Sequence, residues 1–414
     1  MNASTSKKLN DHYYKYLHKE KYRNKLNNFL YFFLWKLIYK LFSLKKVDPK
    51  LVLFVSNRDD TVPAEFKGLY EYAKSKGYRV ICHCMPKLES KTFYVNEYKK
   101  IRYDILFTKL YTQAKYTFVS DYYLPAFANK PRKNSRLIQV WHGCGAFKKW
   151  GYSTRESSWG LKSDFFEKYN VHKTYTDIIT SADSVNKIYA EAFDADISKV
   201  KALGVSRTDV FFDDNFIKEQ TAEVREKYNI PDNKKIILWA PTYRGDSLQK
   251  SHNEITFDLE RLYKELKDDY VLLIKLHPHL VKGFNARTFA PDYMKDFAIK
   301  PHPSSPIDSL LCASDIVISD YSSLIFEYSL LERPMIFYAY DLEDYESNRA
   351  FYYDYKTFVP GEIVKGTEGI IKEIKNIENG FDKEKIIRFR QEYMSACDGN
   401  SSKRIFDEIT NSEV

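Results

Sequence analysis

A chain of 414 residues, 29% charged and 16% aromatic with a formal charge of +9, is long enough for two domains that each bury a core. Residues 1–50 hold twelve Lys/Arg and three Asp/Glu, so the whole surplus lies there and the rest of the chain is neutral overall. A neutral body argues against a nucleic-acid groove, which needs basic residues clustered on the folded domain. Five scattered cysteines without C-x-x-C spacing argue against a disulfide framework or a zinc site and fit a reducing cytoplasm. The polar opening residues give no signal-peptide pattern.

From Asn28 to Leu44 the chain is rich in aromatics and leucines, interrupted by Lys36 and Lys40 and followed by Lys45 and Lys46. That is too short and too charged for a spanning helix. It suits a helix lying in the interface of an anionic membrane, the alternative being a helix packed on the protein's own body. Residues 1–50 are therefore read as a membrane-associating arm. From Leu51 strands and helices alternate: strands at 51–55, 79–82, 116–119, 137–141 and 176–180, with helices at 64–76 and 184–193. After a passage near Val200–Val205 a second series follows, with strands at 235–239, 270–274, 315–319 and 334–338. Helices are expected near 257–266, 368–377 and 383–394. This alternation predicts α/β architecture with two Rossmann-like domains, 51–204 and 205–395, facing each other across a cleft, and a tail at 396–414.

Polar residues suited to phosphate chemistry follow five of the predicted strand ends. They are His142-Gly143 with Lys148 and Lys149; Gly204-x-x-Arg207-x-Asp209; Thr242 and Arg244; Lys275-x-His277-Pro278; and Ser319-Asp320-Tyr321-Ser322-Ser323 with Glu327. Histidine can take a proton near neutral pH, and Arg, Lys and hydroxyls match phosphate oxygens. The turn before the predicted 324–333 helix puts hydroxyls and backbone N–H groups at a strand's carboxyl end, where open α/β sheets bind anions. For single residues the alternatives are structural: a helix-capping serine, a satisfied histidine, an Arg244 paired with an internal carboxylate, a solvated Glu327. No P-loop and no G-x-G-x-x-G are present. Asp194-x-Asp196 follows a helix and reads as a solvated turn.

These five motifs, in this order over about residues 100–395, resemble the CDP-glycerol glycerophosphotransferases of teichoic acid synthesis. Ser206 stands where that family often has proline. Cys144-Gly145-Ala146 resembles the subgroup of ribitol-phosphate transferases and primases, which leaves glycerol or ribitol open. The resemblance implies a GT-B arrangement, with the C-terminal domain binding CDP-glycerol or CDP-ribitol and the N-terminal domain presenting a polyprenyl-diphosphate-linked acceptor. It also implies a peripheral position at the cytoplasmic face of the bacterial membrane. His142 is then the expected general base, and His277 the group that stabilises charge on the pyrophosphate. Arg244, Ser322 and Ser323 would hold phosphate oxygens, with Gly143, Lys148, Arg207, Asp209, Thr242, Lys275, Pro278, Asp320 and Glu327 completing the substrate site. No metal or other cofactor is implied. The alternative on the same fold is a glycosyltransferase that uses a UDP-sugar.

Overall fold

The computed structural model describes residues 25–57, 60–85, 93–155, 157, 171–242, 244, 255–276, 290–348 and 350–412. Two compact units divide the chain. The first comprises Met1–Gly143, Trp150–Asp209 and Ala396–Val414, and the second Cys144–Lys149 and Val210–Ser395.

In the first unit the elements run α1 (Lys25–Phe42), β1 (Asp48–Ser56), α2 (Ala64–Ser75), β2 (Arg79–Cys84), α3 (Phe93–Gln113) and β3 (Ala114–Val119). They continue through α4 (Leu124–Phe127), β4 (Arg136–Gln139), β5 (Asp177–Thr180), α5 (Asn186–Phe193) and β6 (Val200–Ala202). The strands form one parallel sheet in the order β2-β1-β3-β4-β5-β6. Fully buried strand positions Val52, Phe54, Phe118 and Ile138 pack against Phe66, Leu69 and Ala73, whose spacing lines one face of α2.

The same core receives Ile405, Phe406 and Ile409 from the C-terminal helix Ser401–Asn411, so the segment read as a tail completes the first unit. Burial of each such side chain stabilises by about 1.5–3 kcal/mol. The Gly204–Asp209 stretch seats this helix. Both oxygens of Asp209 accept the N–H groups of Ser401 and Ser402 at 2.8 Å, and the Ser206 and Ser402 hydroxyls lie 2.8 Å apart. Gly204 has φ +91°, and a Cβ there would stand 2.3 Å from the Ala396 carbonyl oxygen, so only glycine fits.

The second unit runs α6 (Asp214–Lys227), β7 (Lys235–Trp239), α7 (Leu259–Leu266), β8 (Tyr270–Ile274), β9 (Ala298–Ile299), α8 (Ile307–Ala313) and β10 (Ile316–Ser319). It continues with α9 (Leu324–Ser329), β11 (Met335–Tyr338), α10 (Leu342–Asn348), α11 (Tyr355–Phe358), β12 (Glu362–Val364), α12 (Thr367–Glu378) and α13 (Lys383–Tyr393). Its parallel sheet has the order β12-β11-β10-β7-β8-β9, so the chain reverses direction across the sheet between β7 and β10. In a doubly wound sheet that reversal opens a crevice at the strands' carboxyl ends. The helix after the serine turn is only six residues long and stops well before Pro334.

The first helix differs from a detached arm. Trp35 is 2% exposed, the Tyr39 and Tyr111 rings lie 5.9 Å apart, and the Tyr39 hydroxyl donates to the Lys130 carbonyl at 2.8 Å. One face of α1 is thus packed on α3, a helix the sequence reading left out, and the other is exposed.

Candidate functional site

β4 ends at Gln139 rather than at Trp141 because Trp141 adopts a left-handed backbone, φ +54°, with its N–H held by Gln139 Oε1 at 2.9 Å. A non-glycine residue in that region is strained and persists only when its surroundings fix it. Here the Trp141 ring lies against Trp150 at 5.9 Å and edge-on to Phe193 at 5.3 Å. The strained turn presents the next residue, His142, whose side chain is 31% exposed and whose ring lies 4.2 Å from that of Trp141. His142 Nδ1 sits 3.0 Å from the Ser120 carbonyl oxygen and 4.0 Å from Asp121 Oδ1. A carbonyl only accepts, so Nδ1 carries the hydrogen and the lone pair of the neutral ring is on Nε2. That tautomer suits a base. Gly143 accepts the Tyr189 hydroxyl on its carbonyl at 3.2 Å, and a Cβ at Gly143 would meet nothing within 4 Å.

At the reversal of the second sheet, the turns after β7 and β10 are joined through Asp320, which is 2% exposed. Its carboxylate accepts the Thr242 N–H at 2.9 Å, the Thr242 hydroxyl, the Tyr321 N–H at 2.6 Å and Arg244 Nη1 at 2.8 Å. Asp341 grips the other side of the guanidinium, taking Nε at 2.5 Å and Nη2 at 3.0 Å, and also accepts the Tyr321 hydroxyl at 2.9 Å. Arg244 lies over the rings of Tyr321, Tyr345 and Tyr340 at 5.0, 5.2 and 5.5 Å. Burial opposes its charge, but Asp320 and Asp341 outweigh burial and raise its pKa above the ordinary value. Lys148 approaches the same cluster, its amine 3.3 Å from the Tyr345 hydroxyl, and Tyr345 stacks on Tyr321 at 3.8 Å. Ser322 and Ser323 follow directly. The Leu324 N–H reaches Ser322 Oγ only at 3.4 Å, and Ser323 makes no side-chain cap. Capping therefore accounts weakly for these hydroxyls.

Four of the predicted residues, Lys148, Thr242, Arg244 and Asp320, are thus gathered beside the serine turn. Arg244, expected to hold phosphate oxygens, has partners within the protein as well. Four hydrogen bonds tie its donors to Asp320, Asp341 and the Thr242 carbonyl, so it first holds the turns together. Lys275 is placed elsewhere. Its amine donates to the carbonyls of His302, Pro303 and Ser305 at 3.2, 2.9 and 3.0 Å, fixing the loop after β9, and burial together with Lys227 pushes it down to about 8. Asp209 caps the C-terminal helix, with Arg207 half-buried in the same turn. Glu327 is 4% exposed, which rules out the solvated reading. His277 and Pro278 lie outside the described residues. Asp194 closes its helix in a left-handed conformation and pairs with Lys173, while Asp196 caps a short turn through Ser198 N–H at 2.9 Å.

Sequence reasoning missed Asp121, Asp341 and Tyr345. For Asp121 a signal exists: Ser120-Asp121-Tyr122 at the end of β3 repeats Ser319-Asp320-Tyr321 at the end of β10.

The family profile described as CDP-Glycerol:Poly(glycerophosphate) glycerophosphotransferase matches residues 37–411. The chain is 36% identical over 376 residues to the teichoic acid ribitol-phosphate primase of Bacillus spizizenii, covering 90% of this chain and 94% of that protein. It is 35% identical over 375 residues to the teichoic acid poly(ribitol-phosphate) polymerase of the same organism, covering 90% of this chain but only 58% of the polymerase. Among solved structures, a histidine-to-asparagine variant of the wall teichoic acid polymerase TagF, with CDPG, superposes with a TM-score of 0.74 at 26% identity, covering 94% of this chain and 98% of that one. On the match over residues 37–411 and the near full-length likeness to the primase, the chain belongs to the CDP-glycerol:poly(glycerophosphate) glycerophosphotransferase family.

Proposed function

We propose that this chain transfers an alditol phosphate, ribitol phosphate in preference to glycerol phosphate, from a CDP-alditol to a hydroxyl of a lipid-linked acceptor or growing teichoic acid chain. The observation that carries the reading is the Asp320 cluster beside Ser322 and Ser323, two hydroxyls at the carboxyl end of the second sheet's switch point. Ligands of open α/β sheets bind at that place. The serines donate to the oxygens of the donor's diphosphate and Lys148 adds positive charge, while Asp320, Thr242 and Arg244 keep the turn rigid. His142 removes the acceptor's proton through Nε2. The acceptor oxygen bonds to the β-phosphorus, the bond from that phosphorus to the bridging oxygen breaks, and CMP leaves with the electron pair. His277, from the Lys-x-His-Pro stretch, is assigned to charge on the pyrophosphate. Likeness to two ribitol-phosphate proteins supports ribitol as the alditol.

Among the described residues no helix is long and apolar enough to cross a membrane. The reading places the protein peripherally at the cytoplasmic face, next to a polyprenyl-linked acceptor. Support comes from α1, which exposes Phe33, Leu34, Leu37 and Leu41 beside Lys36 and Lys40, and from the neighbouring α3, which exposes Val95, Tyr98 and Ile101.

The deciding experiment incubates purified protein and a lipid-linked acceptor with CDP-ribitol or CDP-glycerol and measures CMP. Faster release from CDP-ribitol is expected. Equal or faster release from CDP-glycerol overturns the alditol assignment. Release of UDP from a UDP-sugar, with no CMP from either donor, overturns the reaction class.

A further inference from the structure

The two sheets carry the same three residues at a strand's carboxyl end: Ser120-Asp121-Tyr122 directly after β3 and Ser319-Asp320-Tyr321 from the last residue of β10. In the second sheet the aspartate faces the turn of the adjacent strand β7 and holds Thr242 and Arg244 there. In the first, the adjacent strand is β4, and the turn that follows it carries His142. We propose that Asp121 is a positioning residue for His142, holding its Nδ1–H tautomer together with the Ser120 carbonyl and stabilising the imidazolium formed when Nε2 takes the acceptor's proton. The proposal rests on the reading of His142 as the base.

The geometry supports it on three counts. His142 Nδ1 lies 3.0 Å from the Ser120 carbonyl oxygen and 4.0 Å from Asp121 Oδ1, so two acceptors, one of them anionic, flank the same ring nitrogen. The Asp121 side chain is 8% exposed, where a fixed negative charge acts on a developing positive one with little screening by water. The two residues are also tied through one side chain. Gln139 Oε1 accepts the Trp141 N–H at 2.9 Å and so fixes the strained residue before His142. The Gln139 amide donates to the Tyr175 hydroxyl at 2.8 Å and, more weakly, to the Asp121 carbonyl oxygen at 3.4 Å. Tyr175 is completely buried in this network and its hydroxyl lies 3.0 Å from His172 Nδ1, so the support behind the pair is ordered.

In the transfer itself Asp121 neither gains nor loses a proton. The acceptor's O–H proton moves to His142 Nε2, the new oxygen–phosphorus bond forms, and CMP departs with the electrons of the bond it leaves. Without the carboxylate the imidazolium is less stable and Nδ1 keeps the Ser120 carbonyl but loses its anionic neighbour. Proton removal then slows, while the donor, bound in the second unit, is untouched.

A double-mutant cycle with CDP-ribitol and a lipid-linked acceptor tests this. Asp121→Asn is expected to lower kcat by ~10²-fold with the donor's calorimetric Kd unchanged, and Asp121→Glu to recover part of the loss. In a His142→Ala background the same substitution should add less than about threefold. Two outcomes overturn the positioning role: Asp121→Asn within about threefold of the parent enzyme, or an undiminished loss in the His142→Ala background, which is what a purely structural residue would give. If His142→Ala itself keeps full turnover, it is the base assignment that fails. Thermal melting identifies a variant that does not fold; Asp121→Ser, smaller and also uncharged, then takes the place of Asp121→Asn in the cycle.

Discussion

Thr242 donates both its backbone N–H, at 2.9 Å, and its hydroxyl to the carboxylate of Asp320, across the point where the second sheet reverses its strand order. The bond pair ties the turn after β7 to the turn after β10, and Arg244, held by Asp320 at 2.8 Å and by Asp341 at 2.5 Å, belongs to the same clamp. Removing one partner of such a buried pair leaves an uncompensated charge. Asp320→Asn is therefore expected to destabilise the protein by about 3 kcal/mol, the low end for broken buried pairs because Asp341 still faces Arg244. Donor affinity should weaken with it. Urea unfolding gives the first quantity and calorimetry with a CDP-alditol the second. A loss below about 1 kcal/mol, the worth of an exposed pair, would contradict a structural role for the clamp.

The serine turn carries the binding half of the proposal. Ser322→Ala combined with Ser323→Ala should weaken the donor more than it slows the bound substrate. Each hydrogen bond to a charged phosphate oxygen contributes about 1.5–3 kcal/mol, before non-additivity. Folding should change little, since Leu324 N–H reaches Ser322 Oγ only at 3.4 Å and Ser323 caps nothing. An unaltered dissociation constant with a lowered melting temperature would return both serines to capping.

Much of this was legible from residue patterns. The apolar run 236–238 and the β-branched run 316–318 announce buried parallel strands, and the polar residues after them mark the carboxyl ends. What stayed hidden depends on long-range contact. Asp209 reads as a ligand residue by its company with Arg207, but the helix it caps lies 192 residues further on. Lys275 reads as a phosphate cation, and nothing in its own motif shows that its amine also meets three carbonyls of the loop after β9. Helix α3 gives no clear period in the sequence because Tyr98, Ile101 and Ile105 face outward while Tyr103, Phe107 and Tyr111 face inward, which leaves no polar face to set it.

Acid stability has an identifiable component in His83. This residue is 6% exposed, stacks on Tyr103 at 3.9 Å and donates Nε2–H to the Tyr103 carbonyl at 2.9 Å. Burial pushes its pKa down from 6.5 to about 4. Between those values the unfolded chain binds a proton that the folded chain does not, so this stability is complete above pH 6.5 and is lost as pH falls towards 4. The full loss is roughly 3 kcal/mol. His172, also buried, is depressed in the same direction and adds to it. Replacing His83 by Gln keeps an N–H donor but cannot titrate. Between pH 7 and pH 4.5 the variant should lose about 2–3 kcal/mol less than the parent in urea unfolding. Parallel loss in both proteins would mean that His83 takes up its proton without unfolding.

The membrane reading changes form once α1 is seen packed on α3. Deleting residues 1–46, as a detached arm would allow, would remove the buried Trp35, strip Tyr39 from α3 and uncover the face that bears Tyr111, so lost membrane binding could not be told from damage to the fold. Substitution on the exposed face avoids this. Leu37 and Leu41 are 55% and 63% exposed and lie one turn apart on α1, with Lys36 and Lys40 beside them. Exposed positions of this kind usually change stability by no more than about 0.5 kcal/mol. On a bilayer the two leucines would each bury about 1.5–3 kcal/mol of apolar surface, and each neighbouring cation contributes about 1 kcal/mol, screened as salt rises. Leu37→Glu with Leu41→Glu should therefore lower binding to anionic vesicles by at least about 100-fold. Its melting temperature and its activity on a soluble acceptor analogue should stay near those of the parent, while activity on a lipid-linked acceptor in vesicles falls. Raising the salt concentration should weaken the parent's vesicle binding as well. Cosedimentation of the double variant at the parent's level would place the membrane contact elsewhere and leave this apolar face for another partner.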